Sequence, residues 1–433
     1  MKRAPAEDIV AFMSFSDQSD EAVSAIQKFT PRDWNRVVQW MDDAGLSLYF
    51  QKRLIEASAT QIVPMSVSSH LQRSLALNQA RVDDMLGRFR SINQQFDNAR
   101  VRYAVVKGFS LIPEFCPEAV LRHQADIDYL IDQQSVPAAR RVLVDAGYVT
   151  QASVSAKESI FVSPGATPSR GDSQYSATAG HAVELHTDVW DSDMHGIQCI
   201  PKFLGVSQAR PHYSNGLAFP ALPDVDAFLL QVLHACRHLF TQWIRMSCLF
   251  EIGYFLNRRA GDTALWCAVE QRLQGNALLR EFVVIVSELV VQLFAPPLPP
   301  LIQDWAEEIC PASRVWIDHY ARRWAFCELP VHQLSLSPRS KLVLFLQEQY
   351  RSESSRRNRA QKPDLSSAAL PVKKKPVLLV SDWRKRKHLL RRGVYYALAQ
   401  ARYLCEIPRW RYLNRRTASR RASQPLQASK RAS

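Results

Sequence analysis

The hydrophobic period changes near residue 100, and this change restricts the fold more than any other feature of the chain. Between Val67 and Phe96 the residues Leu71, Leu75, Leu77, Val82, Met85, Leu86, Phe89 and Ile92 recur mostly three or four positions apart, which makes one apolar helical face. Shorter periodic runs precede it, over Glu21–Phe29 and from Pro31 to Gly45. From Val101 the spacing switches to short β-rich runs at Val101–Val106, Ala125–Ile131, Tyr148–Val154, Ser159–Val162 and Ala182–Val189. A helical Val136–Ala146 closed by Gly147 interrupts them, as does a short helix expected over 109–116. The Ser-, Gly- and Pro-rich stretch 163–180 reads as a loop. Helical spacing returns from Asp224 to Tyr350, with Asp224 or Asp226 able to cap a helix through Leu239. Such a pattern predicts an α+β fold, a small mixed sheet between N- and C-terminal helical regions.

A chain of 433 residues exceeds one ordinary core, and two or three domains of roughly 100–200 residues each are expected. The boundaries are drawn at 1–98, 99–200, 201–350 and 351–433. Charge separates the last of these from the rest. Residues 351–433 hold 23 Lys and Arg against 4 Asp and Glu, a balance of +19, which leaves the body at −5. Within this tail, 352–376 reads as a polar linker, Trp383–Leu404 as a basic amphipathic helix, and the chain after Pro408 as disordered. Between 373 and 421, Lys and Arg clusters are interleaved with Trp383, Tyr395, Tyr396, Tyr403, Trp410 and Tyr412. That combination suits RNA or an anionic membrane surface, and equally a solvated extension. The start of the chain lacks the apolar run of a signal peptide. The most apolar stretch, Phe282–Phe294, is shorter than the ~20 residues a membrane span needs and reads as a buried helix. Eight scattered cysteines without a CxxC pair predict reduced thiols and argue against a cysteine-only zinc site. The expected location is cytoplasmic, with peripheral membrane association as a variant.

The chemistry concentrates in Asp126-Ile127-Asp128. Residues two apart on a strand share a face, so these carboxylates repel each other unless a cation lies between them. Alone, the pattern also fits a solvated edge strand. Upstream, Val106-Lys107-Gly108-Phe109-Ser110 ends a strand at a glycine turn where backbone N–H groups can meet a phosphate. Downstream, Val183-Glu184-Leu185 sets a third carboxylate within an apolar strand, able to complete a metal site or to act as a base. Asp188, in phase with Glu184, is its reserve. His186 shares that face and reads as a hydrogen-bonding histidine. His234 and His238, four apart on a helix, lack an obvious third ligand and read as a structural pair, with Cys236 in the core.

The order Lys107-Gly108, then Arg122 four residues before Asp126-Ile127-Asp128, then Val183-Glu184-Leu185-His186 resembles a bacterial family called uncharacterised nucleotidyltransferases, of the DNA-polymerase-β-like superfamily. Trp34, Ala44-Gly45-Leu46 and Leu48-Tyr49 resemble its N-terminal region; Leu233-His234, His238 and Leu249-Phe250-Glu251-Ile252 resemble its C-terminal region. The likeness extends over about residues 30–260. His123 stands where that family commonly has Pro, Ala125 where it has Gly, and Tyr129 where an aliphatic is usual. The resemblance implies Asp126, Asp128 and Glu184 as metal ligands and catalytic residues, with Lys107, Gly108, Ser110 and Arg122 around the triphosphate of an NTP. It implies Mg²⁺, with Mn²⁺ as a substitute, and transfer of a nucleoside monophosphate to an unidentified acceptor in surface-polysaccharide or peptide modification. The alternatives are a non-catalytic binding module on the same fold, or an RNA- or membrane-surface-binding protein acting through its tail.

Overall fold

A computed structural model describes residues 4–16, 20–151, 157–163, 174–176, 180–190, 204–241, 245–326 and eight helical positions between 408 and 419. The expected linker, the Trp383–Leu404 helix, most of the 163–180 loop and residues 327–350 lie outside the described residues.

Among the described residues five α-helices precede the sheet: Pro5–Phe12, Asp20–Gln27, Pro31–Ala44, Ser47–Glu56 and Met65–Asn98. The third shows how local sequence sets their bounds. Thr30 and Asp33 form a reciprocal capping box, Pro31 occupies the first turn, and Gly45 closes the helix at φ +73°. In the 34-residue Met65–Asn98 helix the buried stripe is partly polar. Ser74, Asn78, Arg81 and Asn93 lie in line with Leu71, Val82, Met85, Phe89, Ile92 and Phe96. Leu75, Leu77 and Leu86 are only partly buried beside it.

Among the described residues the sheet has seven strands: β1 (Tyr103–Val105), β2 (Asp126–Ile131), β3 (Val149–Gln151), β4 (Glu158–Val162), β5 (Ala182–His186), β6 (Arg210–Ser214) and β7 (Leu217–Ala221). Their spatial order is β3-β4-β5-β2-β1-β7-β6. Parallel pairs β2–β5 and β1–β7 alternate with antiparallel ones, so the sheet is mixed, as expected from the sequence pattern. It runs past residue 200, where the sequence reading ended the core. β6 and β7 are five-residue strands carrying Pro211 and Pro220, which weakens the strand signal; Pro211 lies on the edge strand β6, as suits a proline, and Pro220 lies opposite it on β7. The 109–116 segment forms only a 3₁₀ turn, Gly108–Leu111.

One face of the sheet packs on the Met65–Asn98 helix. Tyr129 of β2 is fully buried there among Phe89, Phe96 and Tyr103, and its hydroxyl donates to Asn93 Oδ1 at 2.8 Å. That partner explains why an aromatic with a polar tip occupies this strand position.

After β7 the helices Asp224–Thr241, Met246–Arg259, Thr263–Arg272, Ala277–Phe294 and Pro300–Glu308 follow. Ala277–Phe294 is the buried centre of this bundle and packs on both Asp224–Thr241 and Met246–Arg259. Among the described residues no helix is long and apolar enough to cross a membrane.

Candidate active site

The parallel pairing of β2 with β5 sets Asp126 opposite Ala182, Asp128 opposite Glu184 and Leu130 opposite His186. Because the side-chain period of a strand is two, Asp126, Asp128, Glu184 and His186 share the face away from Tyr129. Ile127, Tyr129, Val183 and Leu185 hold the other face in the core. β4 then adds Glu158, opposite His186. The arrangement is held from below by Arg81. Its guanidinium donates to the carbonyls of Gln124 at 2.9 Å, Ser176 at 2.9 Å and Gly180 at 2.7 Å. Two of these carbonyls lie two residues ahead of Asp126 and Ala182, so one buried side chain ties the starts of both strands.

Lys107 and Gly108 form the turn leaving β1. Both have positive φ, 62° and 53°. Lys107, at ψ −167°, lies in a region essentially reserved for glycine, a conformation that costs about 1–3 kcal/mol. At Gly108 a Cβ would collide with Nε2 of Gln124, which donates to the Asp126 carbonyl at 2.8 Å. The turn thus presses directly on the strand bearing the carboxylates. Ser110 donates to the Lys107 carbonyl at 2.8 Å and closes the turn.

Lys107 Nζ lies 2.6 Å from Asp128 Oδ1. His186 Nε2 is 3.0 Å from the same oxygen and 3.3 Å from Glu184 Oε2. Burial alone would raise the Asp128 carboxyl; the Lys107 charge and the His186 hydrogen bond outweigh it and hold the carboxyl low. Burial pushes Asp126 the other way, up to about 6, and the charges of Asp128 and Glu184 add to it. Burial opposes the charge on Lys107, but Asp128, Glu184 and Asp126 overcome it and raise its affinity for the proton. Excess negative charge therefore collects on one sheet face. Asp128, Glu184 and His186 each offer one donor atom, all within 4.8 Å of one another, a set that fits a divalent cation.

The other expected residues stand further out. Arg122 Nε is 3.0 Å from Glu251 Oε1 in a buried ion pair, which Tyr49 joins by donating to the same oxygen at 2.9 Å. Its charge still favours the ionised form of Asp126 across the gap. Asp188 lies beyond the end of β5 and pairs with Lys157 at 2.7 Å. His234 and His238 face each other with Nε2 atoms 3.2 Å apart, and burial, Lys107 and His238 together keep His234 well below the usual histidine range. Cys236 is buried in the core.

A pocket opens beside the carboxylates, lined by Lys107, His186, Asp188, His234 and Arg237 among others. Glu158 and Arg237 were missed by sequence reasoning. Glu158 comes within 3.6 Å of His186 Nδ1, and Arg237 Nη2 within 3.8 Å of Glu158. No local motif marks either one. Only the β4–β5 pairing and the docking of the Asp224–Thr241 helix bring them in.

Comparison with known proteins bears on this geometry. The family described as "Uncharacterised nucleotidyltransferase" matches residues 30–295, more than half of the chain and the whole of the sheet. No curated protein matches.

Proposed function

Because the chain belongs to the uncharacterised nucleotidyltransferase family, we propose that it transfers a nucleoside monophosphate from an NTP to an acceptor hydroxyl or phosphate. The observation that carries this reading is the meeting of Asp128 and Glu184 across adjacent parallel strands, with Asp126 on the same face and Lys107 beside them. Bound there, a divalent cation (Mg²⁺, or Mn²⁺ in its place) would supply charge stabilisation to the phosphate oxygens. Asp126, Asp128 and Glu184 would hold it. Lys107, freed from Asp128 Oδ1, would meet the triphosphate, and the backbone N–H groups of the Gly108–Leu111 turn would face it with Ser110 fixing the turn. Arg122 contributes positive charge from its buried pair with Glu251 rather than direct contact. In the transfer, the acceptor oxygen bonds to the α-phosphorus as the α–β bridging bond breaks, and pyrophosphate leaves with that electron pair. Glu184 would accept the acceptor's proton. The core would then be organised as in DNA-polymerase-β-like transferases.

The test is incubation with each α-labelled NTP, Mg²⁺ or Mn²⁺, and cell extract. We expect a labelled acceptor with the wild type and at least a 100-fold loss with Asp126→Asn or Asp128→Asn, since both supply charge at the reacting phosphate. Equal labelling by variant and wild type would overturn the mechanism.

The charge partition favours a second, separate role: the tail, +19 against a body of −5, would hold the protein on RNA or an anionic membrane surface through residues 373–421.

A further inference from the structure

We infer that His186 is a metal ligand oriented by Glu158, and that the site consequently selects Mn²⁺ over Mg²⁺. The inference rests on the proposed transferase reading and refines its metal chemistry. Three independent features support it. First, β5 places His186 two residues after Glu184, and the parallel register with β2 brings its Nε2 to 3.0 Å from Asp128 Oδ1 and 3.3 Å from Glu184 Oε2. A ring nitrogen and two carboxylate oxygens thus converge from two strands; without a cation Nε2–H donates to Asp128, and a bound cation would take the place of that proton. Second, the ring has little freedom to turn away, since its side chain is only 10% exposed. Third, the opposite nitrogen, Nδ1, faces Glu158 Oε1 at 3.6 Å. Glu158 is itself buried at 9% side-chain exposure and is faced by Arg237 at 3.8 Å. At 3.6 Å the pair is longer than a hydrogen bond; drawn a few tenths of an ångström closer, Glu158 would accept from Nδ1–H, the usual support of a metal-bound histidine, which fixes its tautomer and raises its basicity.

Against Mg²⁺, this donor set favours a first-row transition ion. Mg²⁺ takes oxygen ligands and keeps its waters, and gains little from an imidazole. First-row transition ions accept imidazole together with carboxylates. Among them Mn²⁺ also suits carboxylate and water ligands, which phosphate chemistry requires. A site of carboxylates alone would not separate the two ions in this way.

Metal-stripped full-length protein provides the test, with the free Mn²⁺ signal followed by electron paramagnetic resonance and Mg²⁺ added as competitor. Wild type should bind Mn²⁺ at least about tenfold more tightly than Mg²⁺, with an imidazole ¹⁴N coupling in the pulsed spectrum of the bound ion. His186→Ala should lose that coupling and about 10–100-fold in Mn²⁺ affinity, with Mg²⁺ affinity little changed. Glu158→Gln should keep the coupling and weaken Mn²⁺ binding by about tenfold. His186→Asn, which retains a polar planar group, guards against a folding defect when its melting curve matches the wild type. Absence of nitrogen coupling in the wild type, or equal Mn²⁺ affinity in His186→Ala, would overturn the inference. Asp128→Asn separates the two levels: it should lose both ions, and undiminished binding there would instead count against the carboxylate site itself.

Discussion

At the scale of single residues, Lys107 combines a strained backbone with a buried ion pair, and the two can be separated. Its φ of 62° and ψ of −167° suit glycine, while its Nζ is held 2.6 Å from Asp128. Replacement by Ala removes the ion pair and leaves the strain; replacement by Gly removes both. Lys107→Gly should therefore be more stable than Lys107→Ala by about 1–3 kcal/mol in urea unfolding. Equal stabilities would mean that the turn relaxes once the amine is gone. His123 offers a second test, through pH. Arg245 Nη1 donates to its Nδ1 at 3.0 Å, so Nε2 carries the proton that reaches the Gln174 carbonyl at 2.8 Å. Burial, with Arg245 next and Arg81 and Arg122 behind it, lowers this imidazole from 6.5 to about 3. Below pH 6.5 the unfolded chain takes up a proton that the folded chain refuses. The stability due to neutral His123 is thus complete above pH 6.5 and is lost as pH falls toward 3. His123→Gln keeps a donor and an acceptor without the titration, so its melting temperature should fall less between pH 6.5 and 4 than that of the wild type. The slope that remains belongs partly to His181, which burial lowers to about 4. Identical slopes in variant and wild type would remove His123 from the account.

At the scale of elements, the site is a matter of strand register, and its main controls lie on the long helix beneath. Arg81 ties the lead-ins of β2 and β5 through three carbonyls. Replacing it with Leu would leave buried acceptors unpaired. We expect a loss of at least about 2 kcal/mol, together with weaker divalent-cation protection against thermal unfolding. A loss below about 1 kcal/mol with cation protection intact would show that the strands keep their register unaided. This clamp was not legible in the sequence, where Arg81 reads as a polar break beside an apolar stripe. β2 and β5 were legible because apolar and polar residues alternate in each, with Ile127 and Tyr129 or Val183 and Leu185 on the core face and the carboxylates on the opposite one. β6 and β7 were not, since prolines and exposed positions obscure their alternation. Glu158 shows the same limit for the site. Its approach to His186 follows from a strand pairing across 27 residues of intervening chain, and local spacing carries no record of that.

At the scale of the whole molecule, charge rather than packing separates tail from body. Residues 409–433 carry eight Lys and Arg and no Asp or Glu. Of the positions described there, most are exposed, Tyr412 at 60%. A segment so poor in apolar residues contributes little to folding, because ordering it would cost more entropy than its burial could return. Deleting 409–433 should therefore leave the melting temperature within about 1 °C of the full chain. Binding should change more. Each cation that neutralises a phosphate adds about 0.9 to the slope of log affinity against log salt on duplex nucleic acid and about 0.7 on single strands. Removing several of eight should weaken binding to RNA, or to anionic vesicles, at low salt, and the difference should vanish as salt rises and screening shortens. The two ligands distinguish the surfaces, because single-stranded RNA can also stack on Trp410 and Tyr412 while an anionic vesicle offers charge without bases. A truncated chain that melts many degrees lower would show that this segment packs on the body. One that binds both ligands at low salt as the full chain does would leave the remaining tail cations, from Lys373 to Arg402, as the attachment surface.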